Sequence, residues 1–191
     1  MQMQTISGQA PSVNITRALS RLKSVFCTFD QVDQLLVNAK AGTAKDRHIK
    51  LWKKNWNDFF HPMSYTTGNY DNDYEMEIQL QVGSKLFPEY PVRSLQEAFY
   101  QLRKCMGTET SNFHSLDITP QQYRGHKFVA AFDTEKNLGS AFTGINIKQG
   151  SLMTLKMRST CASVYMPDTV YIVLHFDSIL SIRDTGIELF E

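Results

Sequence analysis

The stretch Val82 to Gly107, VGSKLFPEYPVRSLQEAFYQLRKCMG, decides the fold, because it holds the one segment whose helical reading is strong. Ser94 followed three residues later by Glu97 is a capping box: the serine oxygen accepts from the Glu97 amide, and the glutamate reaches back to the Ser94 amide. Leu95, Ala98, Phe99, Leu102 and Met106 recur at helical spacing, with Gln96, Glu97, Gln101, Arg103 and Lys104 elsewhere on the wheel. Pro88 and Pro91 keep the residues before them extended, and Gly107 suits a left-handed C-terminal cap. One short amphipathic helix, about 94–106, is therefore expected against a chain of strands.

On the N-terminal side of this stretch, Tyr74 to Val82 is the cleanest strand. Tyr74, Met76, Ile78, Leu80 and Val82 point one way, and Glu75, Glu77, Gln79 and Gln81 the other. Such alternation describes an antiparallel sheet with one face on a core and one toward water or a partner. The chain then turns at Gly83-Ser84 and enters the helix. Residues 15–30 read as a short helical or irregular entry followed by a strand near 21–29, and residues 1–14, polar and Gln/Ser-rich, as a flexible N-terminal arm.

On the C-terminal side a polar loop from Thr108 to His126 leads into the short buried strand KFVAAFD. In SLMTLKMRS, Met153, Leu155 and Met157 share a face. TVYIVLHF, residues 169–176, is a continuous apolar run expected to be covered on both faces. ILSIRDTGIELFE reads as two short strands joined at Asp184-Thr185-Gly186. There are perhaps-eight-strand numbers here, about eight short strands with no βαβ alternation, so a doubly wound parallel sheet is disfavoured. The expected fold is mainly β, an antiparallel jelly-roll sandwich occupying residues 15–191 as a single domain.

Composition narrows function by exclusion. A formal net charge of +1 gives no global field for nucleic acid or an acidic membrane. No apolar run reaches the length of a membrane span, and the N-terminus has neither the basic start nor the apolar core of a signal peptide. Cys27, Cys105 and Cys161 lack metal-type spacing and read as reduced thiols. His48, His61, His114, His126 and His175 are scattered, and no phosphate-binding loop or nucleophile elbow occurs. No cofactor, metal site or catalytic residue is expected.

Three clusters remain. Lys45, Arg47, Lys50, Lys53 and Lys54 interleave with Trp52, Trp56, Phe59 and Phe60, a pattern that could bind single strands by stacking and phosphate contacts. One short cluster in a near-neutral chain is a thin footprint, and packed aromatics with solvated lysines are the favoured reading. Asp73, Glu75 and Glu77 share a strand face, as the carboxylates of jelly-roll glycoside hydrolases do, although the usual order is Glu-x-Asp-x-Glu. With Asp71 they could also hold calcium, but the loop lacks the EF-hand glycine and spacing. Asp184-Thr185-Gly186 matches the aspartic-protease tripeptide, yet it ends five residues before the C-terminus and follows Arg183, so a hairpin turn is the better reading.

VGSKLFPEYPVRSLQEAFYQLRK, AFTGINIKQGSLMTLKM and VYIVLHFDSILSIRDTGIELFE, taken in order, resemble the C-terminal jelly-roll portion of hexon-like (double jelly-roll) major capsid proteins of eukaryotic DNA viruses and Polinton-type elements. The likeness is one of segment order over residues 20–191, and 191 residues hold one jelly roll rather than two. It implies a non-enzymatic virion protein, made in the host cytoplasm or nucleus and not secreted. Such a subunit would assemble with itself, as a trimer about a threefold axis, and with other capsid proteins. Trp52, Trp56, Phe59, Phe60, Tyr65 and Tyr70, on a stretch long for a compact domain, are the expected subunit contacts. The alternative is a carbohydrate-binding or glycoside-cleaving jelly roll using Asp73, Glu75 and Glu77.

Overall fold

Ten strands and two helices are seen in a computed structural model, which describes residues 1–30, 76–107, 117–125, 127–135, 144–148, 150–159, 167–183 and 186–190. In chain order they are β1 (Gln2–Thr5), β2 (Ser12–Ile15), β3 (Leu22–Asp30), β4 (Met76–Val82), β5 (Lys85–Val92), α1 (Leu95–Cys105), α2 (Pro120–Gly125), β6 (Ala130–Asp133), β7 (Met153–Ser159), β8 (Thr169–Phe176), β9 (Ile179–Arg183) and β10 (Gly186–Phe190). The first eight strands make two antiparallel sheets, β1-β8-β3-β6 and β2-β7-β4-β5. Each of β1 to β4 pairs with its mirror in the chain: β1 with β8, β2 with β7, β3 with β6, β4 with β5. Successive pairs fall in alternate sheets. This is a long four-strand-out, four-strand-back ribbon rolled into a sandwich, the jelly roll.

Alternation fixes what each sheet buries. Met76, Ile78, Leu80 and Val82 of β4, Met153, Leu155 and Met157 of β7, and Val13 and Ile15 of β2 face inward. Opposite them lie Val25, Cys27 and Phe29 of β3, Val170 and Ile172 of β8, and Phe132 of β6. Burial raises the Cys27 thiol well above its ordinary pKa, and pushes that of Cys105 up to about 12 with help from the Asp133 carboxylate. Both are inert thiols rather than nucleophiles.

Helix α1 keeps its predicted stripe only in part. Leu95, Ala98 and Leu102 are buried and Phe99 packs against the core, but Met106 is exposed. Ser94 Oγ accepts from the Glu97 amide at 3.2 Å, while Glu97 Oε2 takes the Arg93 amide (2.8 Å) rather than that of Ser94. Gly107 stands at φ 66°, the left-handed cap expected of it. The helix lies against β6, whose Ala130, Ala131 and Phe132 are all buried, so β6 is the strand covered on both faces.

Four expectations are corrected. Residues 1–14 are not a flexible arm: they supply the edge strands β1 and β2, too short for their few inward residues, Val13 among them, to show a period. Ile15, Leu19 and Leu22 make no helix. Leu19 and Leu22 instead exchange backbone hydrogen bonds with Ile147 and Ile145. A strand, β5, lies between Gly83-Ser84 and the helix, and its position at a sheet edge accommodates Pro88 and Pro91, which lack an N–H for a second neighbour. Finally, β8 is covered on one face only, with Val173 and His175 exposed.

The end of β8 is firmly tied. Lys23 Nζ lies 3.1 Å from Asp177 and 3.5 Å from Glu135, and these carboxylates raise the lysine pKa, the Asp177 hydrogen bond most. The Asp177 amide donates to the Arg21 carbonyl at 3.2 Å, and the Arg17 guanidinium stacks 5.5 Å from the Phe176 ring centre. From this root the chain enters β9 after only Asp177 and Ser178.

Candidate functional site

β9 and β10 form a two-stranded sheet of their own. Arg183 pairs with Gly186, Ile182 with Ile187, Ser181 with Glu188, Leu180 with Leu189 and Ile179 with Phe190. Because side chains alternate, Leu180, Ile182, Ile187 and Leu189 share one face. The other carries Ser181, Arg183 and Glu188, with the last two 3.8 Å apart, and Ile179 and Phe190 at its base.

The all-aliphatic face has no cover. Leu180 is 55% exposed, Ile182 74%, Ile187 70% and Leu189 59%. Burying a whole Leu or Ile side chain is worth roughly 1.5–3 kcal/mol, so covering the exposed parts of these four returns on the order of 4–8 kcal/mol. Association costs about 4–15 kcal/mol. The hairpin alone therefore holds a partner weakly, and a stable complex needs an apolar counterpart to gain by the same contact. A lone two-stranded hairpin is itself marginal in water, which adds to the case for a partner.

The outer faces of the two sheets differ. On β2-β7-β4 the outward residues are Ser12, Asn14, Thr154, Lys156, Arg158, Glu77, Gln79 and Gln81, all polar. Glu77, opposite Arg158 in the register, also takes the Arg93 guanidinium at 3.0 Å. Gln79 Nε2 donates to the carbonyls of Pro88 (2.9 Å) and Glu89 (3.0 Å), closing the irregularity between β4 and β5. A shallow depression of about 240 Å³ lies here, lined in part by Ser12, Glu77, Gln79, Lys156 and Arg158. On β1-β8-β3 the outward rows are Met3, Tyr171 and Thr28, then Val173 and Phe26. Met3 is 62% exposed and Val173 44%.

Of the residues singled out from sequence, Ser94 and Glu97 cap α1, and Glu77 sits on the polar outer face. Trp52, Trp56, Phe59, Phe60, Tyr65, Tyr70, Asp71, Asp73, Glu75, the Lys45–Lys54 cluster and Cys161 lie outside the described residues. His175 Nδ1 lies 3.2 Å from Ser24 Oγ, across the β3–β8 pair. Among the described residues no group of three His, Cys, Asp or Glu is placed to hold a metal ion, and no helix is long and apolar enough to cross a membrane. The four hairpin aliphatics went unselected as contact residues. The signal was present: two apolar strands at the chain end, after the strands able to cover them had been used. No family model, curated protein or solved structure matches the chain.

Proposed function

We propose that this chain is a structural virion protein, a jelly-roll capsid subunit that works by self-association and not by catalysis. The bare aliphatic face of the β9–β10 hairpin carries this reading, since a rigid sandwich rooted at Lys23 and Asp177 displays it to solvent. The jelly roll agrees with the reading but hosts many functions, so the surface and not the fold is the argument. The resemblance to hexon-like capsid proteins supports it independently. In this reading the subunit is made in the host cell, is not secreted, forms trimers and meets other capsid proteins in the virion. Trp52, Trp56, Phe59, Phe60, Tyr65 and Tyr70 add contacts, and nucleic acid contributes little. Mass photometry with negative-stain microscopy tests it: discrete trimers, pentamers or shells are expected, and a strict monomer at every concentration and salt overturns it.

A second reading is favoured by the depression beside Glu77. A polar, amide-rich shallow face suits a sugar chain, and a glycan array with Glu77→Gln as control decides it. Binding that the substitution removes would move the function to sheet β2-β7-β4-β5.

A further inference from the structure

The hairpin needs an apolar counterpart without charges, because burying an unpaired charge beneath four aliphatic side chains costs more than the contact returns. The outer face of β2-β7-β4 fails this test: Glu77, Lys156 and Arg158 stand in its middle. The outer face of β1-β8-β3 passes it. Its central rows, Met3-Tyr171-Thr28 and Val173-Phe26, hold no ionisable group but the Tyr171 phenol, and Asp30 lies at one end of β3.

The dimensions also agree. The hairpin is two strands of five residues, roughly 17 Å long at about 3.4 Å per residue. The open part of the sheet is three strands wide, and α1 covers its far side at β6. A two-stranded layer stacked face to face at about 10 Å fits on it. The hairpin does not cover this face of its own chain: the Asp177-Ser178 connector is anchored through Lys23 and Arg21, and both surfaces remain exposed. A second copy supplies what the first lacks.

Resting on the self-association reading, we propose that the aliphatic face of β9–β10 in one copy packs on the outer face of β1-β8-β3 in the next. The two surfaces differ, so the contact is head-to-tail, and it closes into a ring or extends according to the rotation between copies.

Complementation tests this with the full chain. Ile182→Asp/Ile187→Asp spoils the hairpin and Met3→Asp/Val173→Asp spoils the sheet face. Met3→Asp alone, on an exposed edge strand, serves if the second pair disturbs folding by circular dichroism. Each variant alone is expected to be monomeric by mass photometry. An equimolar mixture is expected to recover one contact, from an intact hairpin onto an intact sheet face, and so to stop at the dimer mass. If either variant keeps the wild-type assembly, or if the mixture stays monomeric while the wild type assembles, the exchange is overturned and self-association stands. A monomeric wild type overturns both.

Discussion

β7 and the β9–β10 hairpin are written in the same alternating language and meet opposite fates. In β7, Met153, Leu155 and Met157 are buried beneath the other sheet, while Thr154, Lys156 and Arg158 face out. In the hairpin, Leu180, Ile182, Ile187 and Leu189 line up just as regularly and face solvent. Periodicity says which face of a strand is apolar. It does not say what covers that face, because cover depends on where the strand falls in the roll. The eight-strand roll is complete at β8, so the next two strands have no sheet of their own chain left to pack against.

Side-chain truncation should separate the two regions most sharply. Phe132, buried on β6, is expected to cost about 3–5 kcal/mol on replacement by alanine. Leu180→Ala in the hairpin is expected to cost no more than about 0.5 kcal/mol in the dilute monomer, as exposed substitutions do. Urea unfolding measures both, and equal losses would show that the hairpin is part of the folded core. The root between the two regions comes next. Gly144 stands at φ 145°, and a Cβ there would meet the Leu22 carbonyl oxygen at 2.9 Å and the Arg21 carbonyl carbon at 3.0 Å. These are backbone atoms that cannot swing away. Gly144→Ala should cost about 1–3 kcal/mol. A neutral result would mean that the backbone at Arg21 and Leu22, next to the Lys23 ion pairs, is not held tightly.

Ser94→Ala should cost less, about 1 kcal/mol, by freeing the Glu97 amide at the start of α1. Thermal unfolding reads this, and a loss near zero would mean that burial of Leu95, Ala98 and Leu102 holds the helix without its cap.

The residues of α1 were legible because capping and spacing agreed within one short window. The same chemistry at Thr119 was passed over: Thr119 Oγ1 accepts from the Gln122 amide, and Gln122 Oε1 accepts from the Thr119 amide, both at 3.2 Å, with Pro120 opening α2. A helix of six residues has no room for a stripe, so only Tyr123, whose hydroxyl donates to the Val129 carbonyl at 2.8 Å, reports its inner face. β1 and β2 were illegible for a similar reason, four residues each. β5 was hidden by prolines that an edge strand tolerates. For β8 the apolar run suggested two covers, but Val173 faces out and finds none. The misreading of β8 and the overlooked hairpin share one cause: apolar character was taken to mean burial within the same chain.

The smallest stability change is expected where assembly is at stake, in Ile182→Ser/Ile187→Ser. At a concentration where the wild type is monomeric, this pair should shift the unfolding free energy by no more than about 0.5 kcal/mol, because neither side chain is buried there. Raising the concentration should then separate the proteins. Self-association stabilises only the folded state, so the wild-type unfolding midpoint should climb with concentration. The serine pair should stay flat. If both midpoints climb together, assembly runs through other surfaces and the hairpin's bare face is incidental. If the serine pair loses stability even when dilute, the two isoleucines are covered within the monomer, and the contrast with β7 disappears.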